Sequence, residues 1–301
     1  MNTVRDALVE AARMLSTLET PFLDAALLLA HTLGISKEKL LASYPEELPL
    51  SAQNEFRACL KKRLSGYPIS YIRHKKEFLG LPFYVDERVL VPRPETETLV
   101  ELVLEHTDTL MAAGKASFSV GNPSGPEEQT SLKVLDLGTG SGCIAISLKY
   151  LRPLLDVTAA DKSSAALKVC GINARHLLSD PLPMLQTDLF EQVRGKYDVI
   201  VSNPPYLSEK EVAEMESNHW PEPRMALAGG DDGLDIIRIL IDRAFDHIED
   251  GGSLFMEAHI YQIESIKILL TGRGFSNVRA YQDLTGRNRV ISGKKPYAES
   301  Y

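Results

Sequence analysis

Two stretches of this sequence carry residue types that could do chemistry together. In "VSNPPY", Asn203, Pro204, Pro205 and Tyr206 directly follow the apolar run "YDVIVS". An asparagine side chain offers one acceptor and two donors, and the carbonyl of the proline after it is a further acceptor. Two such acceptors can take both N–H bonds of a planar NH2 group, while the double proline keeps them from relaxing and the Tyr206 ring stacks on the flat group. Glutamine, asparagine, adenine and guanine all satisfy that geometry. The competing interpretation is a turn with two prolines and a surface tyrosine, but an exposed turn rarely needs this residue order directly after a buried strand.

The second stretch is "VLDLGTGSG", which sets Gly138, Thr139, Gly140, Ser141 and Gly142 at the end of a predicted strand. Glycines there let the backbone turn tightly and approach a ligand, and the next helix presents free amides to it. The spacing is G-x-G-x-G, whereas the dinucleotide fingerprint places its final glycine three residues after the second. Asp136, just before the turn, suits a ligand bearing an ammonium group. Asp161 ends the next predicted strand, where its carboxylate can receive two ribose hydroxyls, and in "TDLF" Asp188 and Leu189 offer an acceptor and an apolar wall to an adenine ring. Together these features favour S-adenosylmethionine over a dinucleotide. The structural alternative, a plain turn with Asp161 capping the helix "KSSAAL", is weakened because both features fall at carboxyl ends of adjacent strands, where such sheets bind ligands.

Joined, the two stretches describe methyl transfer to a planar nitrogen. An amide nitrogen is a poor nucleophile because its lone pair is delocalised. Accepting both of its N–H bonds raises electron density on the nitrogen and aims it, and the bound geometry removes much of the entropic barrier. The expected chemistry needs no metal and no covalent nucleophile.

The elements that must position these residues follow from periodicity. Residues 1–75 read as a small helical domain: "TPFLDAALLLAHTLG" has Thr20 as N-cap, Pro21 at the first helical position and Gly34 at the stop, and "SAQNEFRACLKKRLSG" offers Ser51 and Gly66 in the same roles, with Phe56, Cys59, Leu60 and Leu64 on one face. Residues 76–92 are expected as a bridging hairpin or linker, with extended runs "EFLGLPFYV" and "RVLVP" separated by Asp86 and Glu87. From 93 to 301 the pattern opens with the helix "RPETETLVELVLEHTDTLMAA" and then alternates strand and helix, which predicts an open α/β sheet with helices on both faces. The polar tract 114–131, rich in Gly, Ser and Pro, is expected to be an exposed loop.

Composition narrows the class further. The chain has 301 residues, a formal net charge of -8 and a pI near 5.5, so no general positive field attracts nucleic acid or anionic lipid. The basic run "KKRLSGYPISYIRHKK" reads as a solvated helix end and connector. Cys59, Cys143 and Cys170 are odd in number and lack metal-ligand spacing, which suits a reducing compartment. The N-terminal stretch does not resemble a secretory signal and no run approaches a membrane span, so a cytoplasmic protein is expected.

Five segments, "EFLGLPFYVDERVLVPRPETETLVE", "VLDLGTGSGCIAISL", "VSNPPY", "EPRMALAGGDDGLD" and "DLTGRNRV", resemble in order those of the HemK/PrmC family, the glutamine methyltransferases that modify peptide-chain release factors. The resemblance covers nearly the whole chain. It implies a class I, seven-stranded, Rossmann-like methyltransferase domain, a small N-terminal helical domain that helps grip the protein substrate, and transfer to the glutamine of a Gly-Gly-Gln motif. Carried over by residue, 138–142 line the cofactor turn, Asp161 holds the ribose and Leu189 lies beside the adenine. Asn203, Pro204, Pro205 and Tyr206 hold the glutamine, with Asn203 also beside the cofactor and Asn203, Pro204 and Tyr206 as the catalytic set. Pro92, Arg93 and Glu95 order the site. The partner implied is a release factor, met by a monomer, without membrane or nucleic-acid substrate. Departures are His259, which replaces a glycine after the retained Glu257, His74 before "EF", and the length of the 114–131 tract; neither histidine is assigned as a base. Rival acceptors are a ribosomal-protein glutamine, or the exocyclic amine of adenine in DNA or guanine in RNA, the latter two opposed by the acidic balance.

Overall fold

The computed structural model describes residues 3–114, 131–218 and 220–298, so most of the tract expected as an exposed loop, 115–130, lies outside the described residues. The chain separates into two compact units. One runs up to Lys75 and includes Val85–Glu87 and Met215–Pro221; the other comprises Lys76–Tyr84, Arg88–Glu214 and the chain from Glu222 onward.

The first unit is built on α1 (Val4–Met14), α2 (Pro21–Leu33), α3 (Lys37–Ala42), α4 (Leu50–Leu64) and α5 (Ile69–Arg73). Its core gathers Leu8, Leu15, Leu28, Leu29, Phe56 and Leu60, all essentially inaccessible. Helix α2 starts at Pro21 and stops at Gly34, whose φ of 63° is the left-handed conformation that glycine adopts without penalty. Helix α4 begins earlier than expected: Pro49 is the N-cap, its carbonyl accepts the Gln53 amide at 2.9 Å, and Ser51 lies inside the helix. Leu64 does not join the core face either, since the last turn carries it into solvent at 46% exposure. Within the basic run, Arg63 is held by Asp24 at 2.8 Å.

The second unit opens with a hairpin of β1 (Lys76–Phe78) and β2 (Leu81–Phe83), paired Phe78 to Leu81. The two-residue loop is Leu79–Gly80, with φ of 48° and 73°, the left-handed pair that matches strand twist. The second expected strand, "RVLVP", does not form: Val91 gives its amide to the Glu222 carboxylate at 2.9 Å rather than to a ladder. The chain continues through α6 (Glu95–Ala112), β3 (Lys133–Leu137), α7 (Cys143–Leu151), β4 (Asp156–Asp161), α8 (Ser164–Leu177), β5 (Met184–Gln186) and β6 (Tyr197–Ser202). Then come α9 (Glu209–Ser217), α10 (Asp235–His247), β7 (Ile248–Glu257), α11 (Ile263–Arg273), β8 (Ser276–Gln282) and β9 (Asn288–Lys294).

These strands form one seven-stranded sheet in the order β5-β4-β3-β6-β7-β9-β8, parallel except for β9, which is antiparallel to both neighbours. Alternation along β3 explains how both faces are covered: Val134 joins a core with Leu99 and Val103 of α6 and Ile144 and Leu148 of α7, while Leu135 and Leu137 join one with Ile237 and Leu240 of α10 and Ile266 of α11. The strand order reverses between β3 and β6. A crevice forms outside the carboxyl ends of such a pair, and the glycine turn follows β3 as the NPPY stretch follows β6.

Candidate active site

The glycine turn is pinned to the neighbouring strand by its own amides. Gly138 and Thr139 donate to the Ala160 carbonyl at 2.8 and 2.9 Å, and Gly140 donates to Asp161 Oδ2 at 2.8 Å. Gly142 closes the turn with φ of 85°, and a Cβ there would lie 2.7 Å from both Cys170 Sγ and Ile146 Cδ1, so only glycine lets α7 start where it does. Asp136 departs from expectation. It is completely buried, accepts from Thr139 Oγ1 at 2.6 Å and the Ala145 amide at 3.0 Å, and does not line the cavity. Its Oδ2 ties the glycine turn to the first turn of α7, Oδ1 has no hydrogen-bond partner among the described residues, and desolvation pushes its pKa up to about 7.

Asp161 does face the cavity. Oδ1 accepts the Ser163 amide at 2.8 Å and Oδ2 that of Gly140, which spends one lone-pair site on each oxygen and leaves one on each. Two acceptor sites side by side match a vicinal diol, so the residues present fit a ribose. Burial raises the Asp161 pKa, and the backbone amides oppose that rise. After β5, Asp188 has one oxygen paired with Lys162 Nζ at 2.5 Å, and Leu189 sits at φ 48°, a left-handed conformation uncommon for leucine. Strain of this kind persists where surrounding structure holds it, and here it turns Leu189 to the cavity wall.

At the end of β6, Ser202 Oγ donates to the Leu137 carbonyl at 2.6 Å, tying the base of the NPPY stretch to the base of the glycine turn. Asn203 Nδ2 donates to Thr96 Oγ1 at 3.2 Å, and Thr96 Oγ1 donates to Glu257 Oε2 at 2.6 Å. Thr96 and Glu257 are 2% and 1% exposed. Desolvation drives the Glu257 pKa up to about 7, helped by Glu95 and opposed by Thr96, Arg289 and Asn203. The Tyr206 phenol is likewise pushed up by burial.

The loop after Ala228 braces the stretch from behind. Gln262 Nε2 donates to the carbonyls of Tyr206 and Gly233 at 2.9 and 3.1 Å. A Cβ on Gly229 would lie 2.8 Å from the Pro205 oxygen, and one on Gly233 2.3 Å from the Tyr206 oxygen. Gly229 and Gly233 of "AGGDDG" are therefore there because two backbones meet.

A cavity of ≈ 330 Å³ brings together Gly138, Thr139, Gly140, Ser141, Asp161, Asp188, Leu189, Asn203 and Pro205, together with Pro92 and Arg93. Gly142, Pro204, Tyr206 and Glu95 are not among its lining residues. Gly142 acts behind the turn, and Pro204 is buried. Arg93 is held by Glu222 at 2.5 Å, the same carboxylate that receives the Val91 amide. Thr96, Glu222 and Met225 were not anticipated; the only available signal was their place in "PETE" and "EPRM", which periodicity cannot interpret. The two unusual histidines also resolve. His259 has φ of -70°, which any residue adopts, and its ring accepts the Tyr261 amide. His74 sits at φ 51°, a conformation that favours glycine, with Nδ1 3.3 Å from the Val85 oxygen. Cys143 and Cys170 are free and buried, their thiols pushed up to about 12.

Among the described residues no group of side chains could hold a metal ion, and no helix is long and apolar enough to cross a membrane. Residues 6–73 match the family model described as the PrmC N-terminal domain and 126–218 the methyltransferase small domain. A release factor glutamine methyltransferase of Burkholderia pseudomallei is 36% identical over 98% of this chain and 100% of its own length, and one of Moorella thermoacetica is 38% identical over 96% and 97%. In fold alone, the T. thermophilus 16S rRNA N2 G1207 methyltransferase superposes with a TM-score of 0.50 at 17% identity, covering 73% of this chain and 49% of that one. The seven-stranded sheet is that of the class I methyltransferases, and with full-length likeness of this order the chain belongs to the family of release factor glutamine methyltransferases.

Proposed function

We propose that this enzyme methylates the side-chain amide nitrogen, N5, of the glutamine in the Gly-Gly-Gln motif of peptide-chain release factors, with S-adenosylmethionine as donor. The observation that carries this reading is that one cavity presents both a diol-sized pair of acceptor sites on Asp161 and the Asn203 amide, which the two arms of the sheet's switch point hold together. When bound, S-adenosylmethionine supplies an electrophilic methyl group. The turn 138–142 supports the cofactor, Asp161 takes its ribose hydroxyls, and Asp188 and Leu189 border its adenine.

Asn203 Oδ1 and the Pro204 carbonyl accept the two N–H bonds of the acceptor amide, with Pro205 and Tyr206 fixing its plane. Accepting both bonds draws electron density onto the nitrogen and stabilises the positive charge that develops there. The proton then lost from nitrogen leaves to solvent, so no residue needs to act as a strong base. The first 75 residues are assigned to recognition of the folded release factor in the cytoplasm. Support comes from their match to a dedicated N-terminal family domain and from the exposed apolar side chains Phe22, Leu23, Leu41 and Leu50.

The test is methyl transfer from labelled S-adenosylmethionine to purified release factor, beside a version whose motif reads Gly-Gly-Ala and beside ribosomal-protein and nucleic-acid controls. Label on the normal factor alone is expected. Label only on another control would keep the amine clamp and overturn the release-factor assignment.

A further inference from the structure

We propose that Thr96 and Glu257 are positioning residues that decide which end of the Asn203 amide faces the acceptor, through a one-way relay from Asn203 to Thr96 to Glu257. The proposal deepens the proposed function and rests on it for the identity of the acceptor. An asparagine amide is nearly symmetric in shape, and its oxygen and nitrogen ends differ only in what they can bond. In the clamp that difference is decisive. An amide oxygen turned to the acceptor meets its N–H bond, whereas an amide NH2 turned the same way sets donor against donor.

Proton counting settles the direction. Thr96 has one hydroxyl proton, and an ionised carboxylate can only accept, so above about pH 7, where Glu257 is ionised, the 2.6 Å contact commits that proton to Glu257. What remains on Thr96 Oγ1 is acceptor capacity, and the Asn203 end 3.2 Å away must then be the NH2. Oδ1 is thereby left for the acceptor. Thr96 and Glu257 are 2% and 1% exposed, so water competes little for the bond between them. Placing a carboxylate there is costly, as the upward shift of Glu257 to about 7 by desolvation records, with Glu95 on α6 adding to the cost and Thr96, Arg289 on β9 and the Asn203 side chain itself relieving part of it. A group retained against such a cost is a candidate for function.

The full chain, made as Thr96→Val, Thr96→Ser and Glu257→Gln, separates the relay from packing. Valine keeps the shape of threonine and lacks the hydroxyl, serine keeps the hydroxyl, and glutamine can donate as well as accept. For Thr96→Val, kcat with release factor is expected to fall about 10- to 100-fold, the scale of a misaimed reactive group. Its dissociation constant for S-adenosylmethionine, by calorimetry, should stay within about twofold, a change under 0.5 kcal/mol. Thr96→Ser should recover most of the loss and Glu257→Gln should share it. Unchanged kcat in Thr96→Val or Glu257→Gln, or equal impairment in the valine and serine variants, overturns the relay. A readout independent of turnover is the Asn203 side-chain NH2 signal in the nuclear magnetic resonance spectrum, assigned by its disappearance in Asn203→Ala. Slow hydrogen exchange is expected in the wild type and its loss in Thr96→Val; equal exchange in both sinks the relay. If the wild type fails to methylate release factor while this signal behaves as expected, the proposed function fails and the relay stands.

Discussion

Glu257→Gln should stabilise the protein at high pH even as it impairs the relay, and the pH dependence of that gain can be worked from the burial of this one carboxyl. In the folded chain its pKa is pushed from 4.5 up to about 7, chiefly by desolvation. A carboxyl raised in this way favours folding in its protonated form. The folded state holds a proton that the unfolded state has released between those values, so the contribution is fully present below about pH 4.5 and is lost as pH rises to about 7. At about 1.4 kcal/mol per pH unit, the gap is on the order of 3 kcal/mol, all of it missing above neutrality. Glutamine has almost the same shape and is neutral throughout. Urea unfolding should therefore give a Glu257→Gln variant more stable than wild type by about 1.4 kcal/mol at pH 5.5 and by about 3 kcal/mol at pH 8.5. Asp136, raised to about 7 by the same cause, and His31 and His259, lowered by burial, are present in both proteins and cancel in the comparison. A difference that stays flat between the two pH values would show that Glu257 is not a buried charge held at an energetic cost, and the rationale for its retention would fall with it.

Other perturbations probe the remaining parts of the site. Asn203→Ala should lower kcat by about 10²- to 10³-fold, the usual cost of removing one group aimed at developing charge, with calorimetry still detecting cofactor binding; near-normal turnover contradicts the clamp. Asp161→Ala should weaken S-adenosylmethionine about 10- to 100-fold, as expected for lost charge-assisted hydrogen bonds, and an unchanged dissociation constant refutes the ribose role. Gly233→Ala must place a Cβ at φ 75° and 2.3 Å from the Tyr206 oxygen, so both melting temperature and kcat should drop; a variant indistinguishable from wild type would mean the brace on the NPPY stretch is looser than its geometry implies.

Local chemistry was legible in the sequence wherever one short segment carries its own cause. The strand "LKVLDLG", the glycines whose backbone must turn left, Asp161 at a strand end, and the stiff double proline directly after β6 each follow from residue type and spacing, and so does the alternation that builds the sheet. Boundaries failed where a competing partner lay elsewhere: Ser51 lost its cap role to Pro49, and "RVLVP" lost its strand because Glu222, distant in sequence, claims the Val91 amide. Sequence shows the charge of Asp136 but not that it is completely buried, with its Oδ2 claimed by the Ala145 amide of α7. Only the tertiary structure decided that the turn after β3 and the clamp after β6 share one cavity, because strand order is set by long-range pairing. The same holds for Thr96 and Glu257, which are 161 residues apart, and for Thr96 and Asn203, 107 apart. A hydrogen bond has a direction only once its partners are known, and no periodicity in a chain encodes partners that far away.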